Sequence, residues 1–283
     1  MSLVFGAILP HGPGIVSEVA EDPGLMAETR AAMAEAGRRF AAARVDTVIL
    51  LDPFLVHTQN LFESRSLFAG EGTLPVGTAT RAGGTLSGPQ GRRVQDCFAC
   101  DVALADAILA AGGTAFPVRR ADGENGELRL DGGAMIPLWF TLHPLPAPRP
   151  GLVIIAPSPA VPREMLVRFG HLLADVARDS GKRVALIASA DQGHTHAPDH
   201  KRFGFSPAAA QHDALYCNAV KENCLDRLLD ISDEMLKESW TDSLWQTLIL
   251  AGALSVVPMR VDLLSYAVPT YYGMAVAVYE PAT

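Results

Sequence analysis

Four runs of consecutive apolar residues punctuate the chain: Leu3–Leu9, Thr47–Leu51, Leu152–Ala156 and the first half of Val184–Pro198. Uninterrupted apolar runs of this length, rich in Val, Ile and Leu, predict strands buried on both faces. Between them lie stretches of helical texture. Glu18–Ala43 predicts a long helix, and Val94–Gly112 another. Pro162–Gly181 carries Leu166, Phe169, Leu172, Leu173 and Val176 close to a 3.6-residue period. Ser206–Leu229, with Ser206-Pro207 as cap and first position, Ser232–Lys237 and Trp245–Leu254 predict further helices. Thr114–Arg119 reads as a short strand, and Arg260–Ala267 and Met274–Tyr279 as two closing strands. Asp131–Phe140 begins in a turn and enters an apolar segment, and the proline-rich Pro144–Gly151 joins elements rather than domains.

Strands alternating with helices make βαβ units. The expected fold is therefore α/β, a single domain over residues 1–283 with a central mixed, mostly parallel sheet flanked by helices on both faces. One segment breaks the pattern. Phe62–Gly91 is rich in Gly, Thr and Ser, and predicts a long excursion over the surface at about residues 62–91, the kind of segment that often carries function. No internal repeat or low-complexity segment interrupts the rest.

Composition narrows the function. The 283 residues are 49% hydrophobic and 19% charged, enough for a large core and sparse enough in charge to suggest surface covered by a partner subunit. A formal net charge of −8, with no basic stripe, argues against nucleic acid. No apolar run reaches the ~20 residues of a membrane span, and the first residues lack a charged leader, so a cytoplasmic protein is expected. Cys97-Phe-Ala-Cys100 has redox or zinc spacing, but it falls inside the predicted helix, and Cys217 and Cys224 are seven apart. Reduced structural thiols are the reading adopted for all four.

The candidate chemistry lies at strand ends. Val184–Pro198 turns polar and delivers Ser189, Asp191, Gln192, His194 and His196 within eight residues. Pro10-His11-Gly12-Pro13 follows the first strand, and Asp52-Pro53 leads to His57 after the second. Open α/β sheets bind ligands beyond the carboxyl ends of their strands. Each histidine either satisfies a local hydrogen bond or ligates a metal; two His and a carboxylate with open positions suit non-haem iron. Asp191 either orients His194 or caps the following turn, the cap being the simpler role.

These motifs, in this order, resemble the LigB-type, or class III, extradiol ring-cleavage dioxygenases, a superfamily that also includes Memo-type proteins. Pro10-His11-Gly12-Pro13, His57 and Ser189-Ala-Asp-Gln-Gly-His194 carry the likeness, continued by His196-Ala-Pro-Asp-His200, Phe203-Gly204-Phe205 and Ser206-Pro207 to Asp213. The resemblance implies Fe(II), or Mn or Zn in its place, held by His11, His57 and a carboxylate. The family's carboxylate precedes a Gly-Ala-Leu step at a spacing that falls here on Asp242 or Ser243. Asp242 is therefore the expected third ligand, with Glu238, one helical turn earlier, as fallback. Asp is one methylene shorter than the family's usual Glu. His194 is the implied acid/base and His196 a further catalytic candidate.

The implied reaction opens the ring of a catechol-like or aminophenol-like aromatic with O₂, as in aromatic compound catabolism. A homo-oligomer, with or without a small companion subunit, is the expected assembly. A Memo-type protein without ring cleavage, or a zinc hydrolase on the same scaffold, are the competing readings. Many members carry Asp-His-Gly where this chain reads Asp131-Gly132-Gly133; His143 or His196 is then expected to replace the missing histidine, or activity is reduced or lost. Arg65, Arg81 and Lys201 are candidates to recognise a carboxylated substrate.

Overall fold

The computed structural model describes residues 2–54 and 72–282. His57, Arg65 and residues 62–71 of the predicted excursion therefore lie outside the described residues.

The chain begins with β1 (Leu3–Leu9), followed by α1 (Ala27–Ala42), β2 (Thr47–Leu51), β3 (Leu74–Gly77), β4 (Arg81–Ser87) and β5 (Arg93–Ala99). Next come α2 (Val102–Gly112), β6 (Val118–Ala121), β7 (Glu127–Leu130), α3 (Gly132–Thr141), β8 (Gly151–Ile155), α4 (Arg163–Asp179) and β9 (Val184–Ser189). The last third holds α5 (Pro207–Lys221), α6 (Asp233–Ser239), α7 (Leu244–Val256), β10 (Met259–Ala267) and β11 (Met274–Pro281).

Eight strands form one sheet in the order β10-β11-β1-β9-β2-β8-β3-β6. The centre is parallel: β9 pairs with β1 and with β2, and β2 pairs with β8. The flanks are mixed, with β11 antiparallel to β1, β10 to β11 and β3 to β8. The four apolar runs are these four central strands, and β2 and β9 are buried at every position because both faces are covered. On one face Phe169, Leu173, Leu248 and Ile249 of α4 and α7 pack with α2 and α5. On the other, Met33 and Phe40 of α1 and Ile136 and Leu138 of α3 pack with a small second sheet, β5-β4-β7. The α/β sandwich expected from the sequence is the one observed.

Several element assignments differ, each for a local reason. The helix expected over Glu18–Ala43 starts only at Ala27. Asp22 accepts a hydrogen bond from the Gly24 amide (2.8 Å), an Asx turn around Pro23 that ends any earlier helix. Residues 94–99, expected to be helical, belong to β5, where exposure alternates along Arg93–Ala99 with period two. Asp101 then caps α2 through the Leu104 amide, so Cys97 and Cys100 precede the helix rather than lying in it. All four cysteines are free thiols. Asp131–Phe140 is not a turn leading to an apolar stretch but helix α3, capped by Asp131 and containing Pro137. The helix expected over Ser206–Leu229 ends at Lys221, and Leu225–Asp230 is a separate 3₁₀ turn. Within the predicted excursion, residues 74–77 join the main sheet as β3 and residues 81–87 form β4 of the small sheet. Among the described residues, no helix is long and apolar enough to cross a membrane.

Candidate metal centre

The register of the central strands brings their carboxyl ends level. Leu9 of β1 pairs with Ser189 of β9, and Leu51 of β2 pairs with Ala188. The residues just beyond, Pro10-His11, Ala190-Asp191 and Asp52, therefore emerge side by side. Arg30 on α1 fastens the loop after β1 by donating to the Gly14, Ile15 and Pro23 carbonyls, at 3.0, 2.7 and 2.6 Å.

His11 sits at the centre, 7% exposed. Its Nδ1 lies 3.0 Å from Ser189 Oγ, and that hydroxyl donates to the Gly133 carbonyl at 2.6 Å. With its own proton committed, the serine can only accept, which places an imidazole hydrogen on Nδ1 and leaves Nε2 as the atom that takes a further proton or a metal. Nε2 faces two carboxylates, Asp242 Oδ2 at 3.3 Å and Asp191 Oδ2 at 3.5 Å. Asp191 also accepts from the His11 amide (2.9 Å), and its own amide donates to Asp242 Oδ1 (3.0 Å). Gln246, in the first turn of α7, donates to the carbonyls of Ser189 and Asp242 at 2.6 Å each, locking the α7 entrance to the end of β9. Phe54 closes one side edge-on to the imidazole, with ring centres 5.1 Å apart.

The charge in this pocket is one-sided. Burial alone would push the His11 imidazolium toward losing its proton; the Asp191 and Asp242 carboxylates override burial and raise its pKa from 6.5 to about 10. Burial raises Asp191 above the ordinary carboxylate range. Among the described residues, no Lys or Arg forms an ion pair with either aspartate. His11 Nε2 and two buried carboxylates facing one point call for a cation, a proton on Nε2 or a metal in its place, because buried charge is costly unless compensated. The donor set, imidazole nitrogen plus carboxylate oxygen, suits a divalent transition metal. No group of three or more His, Cys, Asp or Glu among the described residues is arranged to hold a metal by itself. His11 and Asp242 are thus a partial set, and the other expected ligand, His57, lies outside the described residues.

The fallback Glu238 is elsewhere: it is exposed near the end of α6, and its backbone carbonyl, not its carboxylate, is engaged, by Thr195 (3.0 Å). Asp191 neither caps the next turn nor hydrogen-bonds His194. Its carboxylate is turned to His11, a role the sequence reading missed.

His194 is half-buried and held by its backbone, the amide donating to the Ser239 carbonyl at 2.7 Å. Its ring is stacked on Tyr272 at 5.4 Å, with Phe203 at 5.4 Å and Tyr271 at 6.0 Å, and its Nδ1 has no hydrogen-bond partner among the described residues. The Tyr272 hydroxyl lies against Gly12, so the tyrosine spans the space between the His11 loop and His194. His200 stacks on Tyr271 at 3.8 Å, extending this aromatic wall. The wall was not expected from the sequence; its members come from two loops more than sixty residues apart.

His196 is committed differently. Its Nε2 lies 2.9 Å from Asp213 Oδ2 on α5. Asp213 gathers four donors: the Gly193 amide (2.8 Å) and His212 Nδ1 (2.9 Å) on Oδ1, and His196 and the Tyr266 hydroxyl (2.6 Å) on Oδ2. Burial would raise its pKa, but the hydrogen bonds from His196 and His212 and the nearby His212 charge prevail and hold it at about 2. His143 does not replace the absent histidine. It lies at the far end of α3 from Gly132, some eleven residues or ~16 Å away at the helical rise. There it is stacked on Trp139 at 3.7 Å and bound to Asp96 at 2.6 Å. Arg81 lies on β4 with Cys97 and Glu127, and Lys201 is exposed.

Fold and site together define an α/β protein with a histidine–carboxylate centre at the carboxyl ends of its parallel strands. The chain matches the family described as the catalytic LigB subunit of aromatic ring-opening dioxygenase over residues 6–277, and it belongs to that family. Members of the family generally depend on a metal. A solved structure, the crystal structure of uncharacterized protein JW3007 from Escherichia coli K12, shares the fold with a TM-score of 0.61. It is 15% identical, with 97% of this chain and 99% of that one covered. No curated protein matches the chain significantly.

Proposed function

We propose that this chain is an Fe(II)-dependent extradiol dioxygenase that opens the ring of a catechol-like or aminophenol-like aromatic with O₂. The observation that carries the reading is His11 Nε2 set opposite the Asp242 and Asp191 carboxylates in a chain of the LigB family. His11 and Asp242 would hold the metal together with His57. Mn and Zn accept the same donors, so the metal is chosen by availability as well as by the site. Bound there, iron supplies the redox chemistry between O₂ and the aromatic ring.

The remaining work falls to the chain's own side chains. Ser189 holds the His11 tautomer that presents Nε2, as the outer partners of metal-ligating histidines do. His194, with an unpartnered Nδ1, takes the proton of a substrate hydroxyl and returns it later. The rings of Tyr272, Tyr271 and Phe203 around His194 offer stacking to an aromatic substrate and keep water from that side. His196, oriented by Asp213, stands beside this wall and contributes a second polar contact.

The test is anaerobic loading with Fe(II), then exposure to oxygen with a panel of catechols and aminophenols. A yellow ring-opened product supports the reading. Silence across the panel with iron confirmed in the protein overturns it, and stoichiometric zinc with hydrolytic activity would place the chain with the hydrolases.

A further inference from the structure

Tyr272 does more than lay a ring on His194. It stands in the turn between β10 and β11, and backbone hydrogen bonds fasten that turn to the segment that carries His194. The Gln192 amide donates to the Gly273 carbonyl (2.8 Å), the Gly273 amide to the Gly193 carbonyl (2.9 Å) and the His196 amide to the Tyr271 carbonyl (3.2 Å). The side chain is 5% exposed, and its ring is nearly parallel to His194, with 19° between the planes. The hydroxyl end meets the loop after β1. A Cβ built on Gly12 would lie 2.2 Å from the Tyr272 oxygen. Gly12 has φ −61° and ψ 126°, a conformation open to any residue. A glycine is needed there for the space that the hydroxyl occupies, not for its backbone.

The hydroxyl itself has no settled partner. Thr270 stands beside it, yet Thr270 Oγ1 is buried with no hydrogen-bond partner among the described residues, so neither hydroxyl satisfies the other. A phenol keeps its proton at neutral pH and has it to donate. Two fixed points bracket this donor. One is His11, the residue before Gly12, whose Nε2 faces Asp242 and Asp191. The other is His194, under the tyrosine ring. A substrate that engages the centre at His11 and gives its proton to His194 has its oxygens in the span that Tyr272 crosses.

We propose that Tyr272 is a catalytic residue whose phenol O–H donates a hydrogen bond to a ring oxygen of the substrate. The catalytic role rests on the ring-opening reading above; the hydrogen bond to a catechol oxygen does not. In the step, the substrate O–H bond breaks, an N–H bond forms on His194, and the electron pair stays on the substrate oxygen. The Tyr272 hydroxyl stabilises that developing charge, as a donor fixed in advance does best. Tyr272 keeps its own proton throughout, and nothing is oxidised or reduced in this transfer.

Tyr272→Phe keeps the ring and removes only the hydroxyl. The probe is 4-nitrocatechol on zinc-loaded protein, because zinc has no redox chemistry and leaves the probe intact. With zinc content and thermal midpoint matched to the unmutated protein, the variant is expected to bind the probe at least tenfold more weakly. The absorption band of the bound probe is expected to move as well, since its oxygen loses a donor. Equal affinity with an unmoved band overturns the proposal, and so does a probe that does not bind the unmutated protein. A crystal structure of the unmutated zinc-loaded protein with the probe gives a measurement independent of the variant. The Tyr272 oxygen should lie within about 3 Å of a catechol oxygen, and a separation beyond hydrogen-bond reach overturns the proposal. The catalytic role is read on iron-loaded protein with a catechol that it opens: kcat of Tyr272→Phe is expected to fall about 10²-fold or more, and an unchanged kcat overturns that role. If the unmutated protein opens no ring while the probe results hold, the ring-opening reading fails and the hydrogen bond stands.

Discussion

Replacing Asp213 with Asn leaves its shape but removes the charge that four donors surround. The Gly193 amide, His196, His212 and the Tyr266 hydroxyl all point at this carboxylate. Its folded pKa of about 2 lies below the ~3.9 of a free aspartate, so the folded state binds the ionised form more tightly. By linkage, that shift stabilises the protein by about 2 kcal/mol at neutral pH. Because the folded value is depressed, the contribution is fully present above about pH 4, falls to roughly half by pH 3, and disappears as the pH drops through about 2. Asp213→Asn should therefore unfold at lower denaturant at pH 7, with a thermal midpoint lower by about 4 to 8 °C for a chain of this size. Chemical denaturation of both proteins at pH 7, 5 and 3 measures the gap directly. The gap should be equal at pH 7 and 5 and clearly narrower at pH 3. A gap that is absent at pH 7, or as wide at pH 3 as at pH 7, would refute the account of Asp213.

Other substitutions separate the roles of individual residues. Asp242→Asn should abolish stoichiometric iron binding, whereas Glu238→Gln, on an exposed side chain, should leave it intact; elemental analysis of the purified variants decides between them. His194→Gln should keep its iron and its thermal midpoint but lose roughly 10²–10⁴-fold in kcat, the usual range for a positioned acid/base, and loss of iron would move His194 into the ligand set. Gly252→Ala should lower the unfolding midpoint markedly, because a Cβ there would lie 1.9 Å from the Val167 carbonyl oxygen where α4 and α7 touch; with no room to relax, about 1–3 kcal/mol or more is at stake, and an unchanged midpoint would contradict the packing.

The parts of this molecule that the sequence discloses are those where local pattern and tertiary context agree. Val-Ile-Leu runs make central parallel strands because both faces of the sheet are covered, and period-3.6 apolar spacing makes α4. The histidines at strand ends are legible for the same reason, since a buried run must turn polar where it leaves the sheet. Sequence pattern and structure part where short-range signals compete. Arg93–Ala99 has a helix-compatible composition, yet its alternation wins once β4 lies alongside to pair with it. Gly132-Gly133 and Pro137 look like breakers, yet the Asp131 cap starts α3 and helix-compatible apolar residues carry it through the proline. Convergence across distant segments is less visible still. Asp191 facing His11 depends on the register of β1 against β9, and Asp213 reaching back to His196 depends on where α5 docks, which no local motif encodes.

Isotope labelling of the oxygen tests the central claim most directly. The iron-loaded protein, given a catechol that it turns over and ¹⁸O₂, should yield a ring-opened product carrying both labelled atoms by mass spectrometry, with one O₂ consumed per ring opened. Product with no labelled atom in its new carboxylate, or no oxygen uptake by protein shown to contain iron on His11 and Asp242, would contradict it.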